Sequence, residues 1–207
     1  ISIVKKADIC SYILFYIILK EPMIPIKNKK KTLEVTIDEM RNFAFNYIEK
    51  FAPSKQQLKT YLLKKYLKYK IPSVKKSNIT DLIDIVTEDL EKSKFINDKF
   101  YSESKAKSLI QRGSSINKIR NYLFNKGVGE KYIRNTIEKI HTNNEDQDFF
   151  SAIKICKKKR IGPSRDEANR PLFYKKDIGV LARSGFDFEV SRRVMELEKD
   201  EYLKIIN

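Results

Sequence analysis

The residues that could carry out chemistry are few in this sequence. It contains one histidine, His141, and two cysteines, Cys10 and Cys156, which lie far apart. A serine or cysteine nucleophile needs a nearby base, and a zinc site needs several histidine or cysteine ligands, so neither site is expected. Residues 127–129 (Gly-Val-Gly) resemble the start of a dinucleotide-binding motif, but Tyr132 stands where the third glycine would be. We therefore predict no catalytic residue, no metal and no cofactor.

Basic residues, in contrast, are abundant and clustered. The 207-residue chain has 43 lysines and arginines against 27 acidic residues, a formal net charge of +16. Six basic residues and no acidic one lie from Lys105 to Lys126, and twelve basic and five acidic residues lie from Lys154 to Arg193. Such clusters repel themselves in a free protein, which favours a surface for an acidic or polyanionic partner over a merely solvated helix face. Nucleic acid, an acidic protein groove and an anionic membrane surface all remain open.

The partner-binding residues that we predict are drawn from these two clusters. They are Arg112, Lys118, Arg120, Lys126, Lys157, Lys158, Lys159, Arg160, Arg165, Lys175, Lys176, Arg183, Arg192 and Arg193. The run 157–160 stands at the end of a predicted helix, where part of its charge is favoured by the helix dipole.

The apolar residues recur with a helical period. From Ile37 onwards they fall three and four positions apart, as on one face of an α-helix. Only six glycines and six prolines are present, too few for the turns of a many-stranded β protein. We therefore predict an all-α fold. Most phenylalanines and tyrosines fall on the apolar stripes, so we expect them in the core.

The helical pattern restarts twice along the chain. Gly127 and Gly185 stand just past predicted helix ends, where a left-handed residue closes a helix. The first cycle lacks this glycine and has a longer, lysine-rich turn at 70–76. We predict an elongated, curved array of three tandem three-helix modules, residues 37–97, 98–143 and 144–207, preceded by an extension, residues 1–36.

Polar residues at the predicted helix starts are suited to N-caps. We expect Ser54, Asn78, Asp98 and Ser115 to cap four of the helices. The last helix is predicted from Asp187 to about Lys199.

The extension contains an apolar run, Ile9–Leu19, that is too short to span a bilayer as a helix. Lys5 and Lys6 precede it, but the small-residue cleavage site of a signal peptide does not follow. We interpret the extension as disordered or as an over-extended start, with Met23 as the natural first residue.

Four segments, in this order along the chain, match motifs of one protein family. They are residues 95–100 (FINDKF), 112–128 (RGSSINKIRNYLFNKGV), 160–165 (RIGPSR) and 181–197 (LARSGFDFEVSRRVMEL). The first resembles the segment that joins the first and second modules of RecX regulatory proteins, and the second resembles their second-module pattern. The last two resemble segments of alphaproteobacterial RecX proteins. Asn97 and Ser164 depart from the family pattern, which has an aspartate and an aromatic residue there.

The resemblance implies a regulator that binds the RecA recombinase filament and limits its activity, mainly by inhibition, in recombination, DNA repair and the SOS response. It implies no catalytic residue. The basic clusters would then meet acidic RecA surface, or single- or double-stranded DNA in or beside the filament. The unpaired cysteines favour a reducing, cytoplasmic setting, and we expect a monomer without membrane contact. The residues alone leave a second function open, a basic helical protein that binds DNA without RecA.

Overall fold

The computed structural model describes residues 35–68 and 76–206. Their regular secondary structure is entirely helical, which confirms the all-α prediction. The α-helices are α1 (Ile37–Phe51), α2 (Lys55–Lys68), α3 (Lys76–Lys92), α4 (Asp98–Gln111), α5 (Ile116–Asn125), α6 (Glu130–Asn143), α7 (Gln147–Lys159), α8 (Arg170–Arg183), α9 (Phe188–Met195) and α10 (Lys199–Ile206). Two short 3-10 helices, Gly162–Ser164 and Glu167–Asn169, connect α7 to α8.

Several predictions fall outside the described ranges. They concern the extension up to residue 34, with Cys10 and Met23, and the lysine-rich turn predicted at 70–76, of which residues 70–75 lie outside. Within the described ranges, no helix is both long enough and apolar enough to cross a membrane.

The helices contact one another in three sequential groups. The first group is α1 to α3, the second is α4 to α6, and the third is α7 to α10 with the two 3-10 helices. Each group encloses fully buried apolar side chains, among them Leu62, Leu123 and Leu181. Burying one such leucine stabilises the folded state by about 1.5–3 kcal/mol. That the three groups are repeats of one module stays a prediction.

Two of the four predicted N-caps are confirmed and two are wrong. Ser54 and Ser115 accept hydrogen bonds from backbone amides in the first turns of α2 and α5. Asn78 is not a cap because α3 begins two residues earlier, at Lys76. Asp98 is not a cap either, since the side chain of Asn97 accepts the bond from Phe100 N, at 3.0 Å.

The predicted last helix is confirmed at its start but wrong at its end, and a further helix that was not predicted follows it. α9 ends at Met195 and α10 begins at Lys199. The guanidinium of Arg170 donates to the carbonyl oxygens of Met195 and Leu197, at 2.8 and 2.6 Å. These carbonyls are therefore bonded by a side chain of α8. The break lets α10 turn back and bury Tyr202, which is 2% exposed.

The first and second groups meet at a junction around the start of α2, which we call the first junction. Besides capping α2, the Ser54 hydroxyl donates to the carbonyl oxygen of Lys126, at 2.6 Å. The Asp98 carboxylate accepts a hydrogen bond from Lys55 N, at 2.8 Å. The start of α2 is thus held by both the end of α5 and the start of α4.

The second and third groups meet through an equivalent set of contacts, the second junction. The Ser115 hydroxyl donates to the carbonyl oxygen of Ser184, at 3.0 Å, and Asp148 accepts from Ile116 N, at 2.8 Å. The start of α5 is therefore held by the end of α8 and the start of α7. Burial raises the pKa of both Asp98 and Asp148, although each accepted amide bond opposes the rise.

The predicted glycine closures are confirmed at both junctions. Gly127 and Gly185 have φ of +70° and +91°. The amides of the residues that follow them, Val128 and Phe186, bond back to Leu123 and Leu181 in the pattern of a Schellman closure. A β-carbon on Gly127 would overlap the side chain of Gln56 from the first group. The two glycines thus serve both the turn and the close approach of the neighbouring group.

Replacing Gly185 with alanine is expected to destabilise the protein by about 3 kcal/mol. A left-handed alanine costs about 1–2 kcal/mol, and the loss of an N-cap costs about 1 kcal/mol more. The N-cap of α5 would be weakened because the new β-carbon would lie 2.5 Å from Ser115 Oγ and displace it. Urea unfolding followed by circular dichroism measures the change.

Gly179→Ala is the matched control for this substitution. Gly179 lies inside α8, and its β-carbon would meet only the flexible end of Arg183, at 3.3 Å. This variant should be as stable as the wild type or about 0.5–1 kcal/mol more stable. Equal stabilities for the Gly185→Ala and Gly179→Ala proteins would contradict the assigned role of the second junction.

Candidate partner-binding surface

The structure places the predicted basic residues on the second and third groups. Arg112, Lys118, Arg120 and Lys126 lie on or beside α5; Lys157, Lys158, Lys159 and Arg160 end α7; Arg165 follows the first 3-10 helix; Lys175, Lys176 and Arg183 lie on α8; and Arg192 and Arg193 lie on α9. Their environments divide them into cations that are already paired within the protein and cations that are exposed and unpaired.

The end of α7 carries the densest set of unpaired cations. Lys158, Lys159 and Arg160 are exposed, and none forms an ion pair with a described residue. Lys157 is exposed too, but its Nζ donates to the carbonyl oxygen of Ile206 at the end of α10, at 3.1 Å. The C-terminal end of a helix dipole favours positive charge, which helps to hold this set together.

The second junction brings further cations near one another. Asn117 Nδ2 donates to the carbonyl oxygen of Gly185, at 3.4 Å, so the first turn of α5 lies beside the end of α8. The first turn of α5 carries Lys118, and the end of α8 carries Arg183. Both side chains are exposed and form no ion pair with a described residue. Arg112 and Lys175 are likewise exposed and unpaired within the described part of the chain.

Arg165 has a structural role instead. Its guanidinium binds the carboxylate of Asp177 through two hydrogen bonds, of 2.6 and 2.9 Å, and lies 4.5 Å from the ring centroid of Phe173. Asp177 is 1% exposed and also accepts from Gly162 N, at 2.9 Å. Burial alone would raise the pKa of Asp177, but the bonds from Arg165 and Gly162 and the guanidinium charge outweigh it and lower the pKa.

The arginines of α9 are also paired. Arg192 contacts Glu189 and Glu196, at 2.8 and 3.4 Å. Arg193 contacts Asp146 at 3.1 Å and lies 4.8 Å from the ring centroid of Phe149. These contacts neutralise part of the charge that the sequence places on α9.

The remaining predicted residues are engaged more weakly. Arg120 lies 3.8 Å from Glu130. Lys126 and Lys176 lie over the rings of Tyr122 and Phe173, at 5.4 and 5.7 Å from their centroids. Of the predicted binding residues, those that are exposed and unpaired with a described residue are Arg112, Lys118, Lys158, Lys159, Arg160, Lys175 and Arg183, which we call the free basic set.

Exposed phenylalanines are the main feature that sequence reasoning missed. The expectation that phenylalanines and tyrosines lie mostly in the core is wrong for the phenylalanines. Seven of them are more than a third exposed: Phe45, Phe51, Phe95, Phe100, Phe124, Phe150 and Phe188. A weak signal was available, since Phe95 and Phe100 flank the predicted start of α4 rather than falling on its apolar stripe.

The side chains that could do chemistry are not arranged for it. Burial, with a smaller contribution from Asp177, raises the pKa of the Cys156 thiol to about 12, so it stays protonated near neutral pH and is a poor nucleophile. His141 is exposed. Within residues 35–68 and 76–206, His, Cys, Asp and Glu side chains form no cluster that could hold a metal ion.

Comparison with known proteins connects this helical chain to one kind of regulator. No family model and no solved structure matches it. It is 27% identical to Regulatory protein RecX of Myxococcus xanthus over 173 residues, 82% of this chain and 91% of that protein. It is 27% and 24% identical to Regulatory protein RecX of two Clostridium perfringens strains, over 70% and 90% of this chain and 66% and 82% of those proteins. The resemblance predicted from the four motifs is therefore confirmed: the chain is similar to RecX regulatory proteins.

Proposed function

We propose that this protein is a non-catalytic regulator that binds the RecA filament and limits its activity in recombination, DNA repair and the SOS response. The observation that carries the proposal is the similarity to Regulatory protein RecX over 82% of the chain. The order of the four motifs supports it. On this proposal the protein acts as a cytoplasmic monomer.

The free basic set supports contact with an acidic or polyanionic surface. Exposed cations without partners concentrate positive potential, which speeds and orients the approach of a negatively charged partner. A RecA filament on DNA offers phosphate groups and the carboxylates of its protein surface. We therefore assign the contact first to the free basic set, and not to Arg165, whose guanidinium is occupied by Asp177.

RecA-dependent ATP hydrolysis on single-stranded DNA is the direct test. We expect the purified protein to reduce hydrolysis at substoichiometric or equal concentration to RecA. Unchanged hydrolysis at a stoichiometric ratio would refute the proposal.

The second candidate is direct DNA binding without RecA, favoured by the net charge of +16. It predicts tight binding to single- or double-stranded DNA alone, with affinity falling steeply as salt rises, because bound phosphates release counterions. A gel shift with and without RecA separates the two candidates. A shift that requires RecA supports the first, and an equal shift without it supports the second.

A further inference from the structure

A cleft of about 350 Å³ lies between the end of α1 and the start of α4. None of the residues of the free basic set belongs to its lining. The apolar and aromatic part of its lining consists of Ile48, Ala52, Pro53, Phe95, Phe100 and Tyr101.

The two phenylalanines that line this cleft are unusually exposed. Phe95 is 55% exposed and Phe100 is 69% exposed. Phenylalanines grouped in this way leave an apolar patch in water, and such patches mark sites of contact with other molecules.

The charged residues that line the cleft are both basic. Lys94 and Lys105 belong to its lining, and none of the described residues that line it is acidic. Lys105 Nζ lies 5.5 Å from the ring centroid of Tyr101. An apolar cleft with a cationic rim is complementary to an apolar group flanked by negative charges.

The backbone at Lys94 adds a further observation. Its φ is +60°, in the left-handed region that favours glycine. A non-glycine residue there costs about 1 kcal/mol of stability. The rim lysine therefore occupies a position where folding alone would favour glycine, which is consistent with a function for its charge.

We propose that this cleft binds an acidic segment of a protein partner, which inserts one large apolar side chain beside Phe95 and Phe100. The inference does not depend on RecA being the partner, because only the chemistry of the segment is specified.

Two observations favour a protein segment over single-stranded nucleic acid. Ile48, Ala52 and Pro53 give the lining an aliphatic part, which suits an inserted side chain better than a stacked base. In addition, the Phe95 ring already packs edge-on against Phe45, with centroids 5.0 Å apart and an interplanar angle of 82°. An inserted apolar side chain extends this cluster as a core residue would.

A peptide titration followed by NMR tests the proposal. The probe is a short peptide with a central Leu-Phe pair flanked on both sides by Asp and Glu, added to the full-length, ¹⁵N-labelled protein. Control probes are the same peptide with Ala-Ala at its centre and a thymidine oligonucleotide. We expect the Leu-Phe peptide alone to shift backbone amides within residues 48–53 and 94–105.

Matched variants assign the binding to the cleft. Phe100→Ala should weaken peptide binding about tenfold, as truncation of an anchoring residue at an interface does. Phe124→Ala is the control, since Phe124 is equally exposed, at 69%, but lies on α5 outside the cleft lining. Lys94→Gly should weaken binding about threefold through loss of one rim charge, while leaving the protein at least as stable.

Each other outcome would overturn the proposal. Equal shifts with the oligonucleotide would identify a nucleic-acid site instead. An absence of shifts with the Leu-Phe peptide, shifts elsewhere, or equal weakening by Phe100→Ala and Phe124→Ala would show that the cleft does not bind such a segment. None of these results bears on ATP hydrolysis by RecA, so the two proposals fail separately.

Discussion

Replacing Asp177 with alanine is expected to destabilise the protein by about 3–5 kcal/mol, as the removal of one partner from a buried ion pair does. The carboxylate is 1% exposed and accepts bonds from both Arg165 and Gly162 N. Its loss leaves a partly buried guanidinium without a counter-charge and a buried amide without an acceptor. The Arg165 side chain is 23% exposed, so water replaces only part of what is lost.

The same carboxylate gives a pH dependence with a definite sign. The pKa of Asp177 is lower in the folded protein than the ordinary 3.8, so the unfolded chain binds its proton more readily. Its contribution to stability is therefore complete above pH 3.8 and is lost as the pH falls through the lower folded value. Asp177→Asn should remove this part of the acid unfolding curve.

Urea unfolding at pH 7 and at a series of acidic pH values measures both effects. Glu189→Ala is the control, because Glu189 pairs with Arg192 on the surface, where ion pairs contribute little. The interpretation fails if Asp177→Ala and Glu189→Ala unfold at the same urea concentration.

Changing Lys158 and Lys159 together to glutamate is expected to raise the concentration needed for half-maximal inhibition of RecA about a hundredfold. Like charges brought together at an interface cost several kcal/mol, and a hundredfold change corresponds to about 3 kcal/mol. Both side chains are exposed and unpaired with described residues, so their reversal breaks no described ion pair. Reversing Arg192 and Arg193 would be a less specific test, because both form ion pairs within the protein.

Lys64→Glu with Lys68→Glu is the matched control for this reversal. These two exposed lysines also lie towards the end of a helix, α2, and give the same change of net charge. The control should inhibit RecA like the wild type, with unchanged helical content in both double variants. Equal loss of inhibition in the two double variants would show that total charge, rather than the end of α7, determines binding. Wild-type inhibition should also weaken as salt rises, because salt screens these charges.

The local features of the fold could be predicted because they depend on neighbouring residues. Ser54 and Ser115 were predictable as caps from their place before an apolar stripe, and Gly127 and Gly185 as closures from their place after one. A serine hydroxyl and a glycine backbone meet these needs within one turn of helix. The same reasoning wrongly predicted Asp98 as a cap. The cap is Asn97, one residue earlier, and the Asp98 carboxylate instead accepts a hydrogen bond from Lys55 N.

The end of α9 at Met195 had no local signal. The carbonyl oxygens of Met195 and Leu197 are bonded by Arg170, which lies more than twenty residues earlier. Long-range side-chain bonds of this kind depend on how α8 packs, which periodicity does not report.

The sequence by itself determined that this protein is strongly basic and predicted that it is helical, and its four motifs predicted its similarity to RecX regulatory proteins. It also led to the prediction that no catalytic or metal site is present, because that expectation depends on residue type and count. Only the tertiary structure decided which cations remain available to a partner. A charge shows in the sequence whether or not it is paired, and the pairing of Arg165 with Asp177 exists only because α8 packs beside the first 3-10 helix. The free basic set is what remains of the predicted binding residues after those engaged by other groups of the protein are removed.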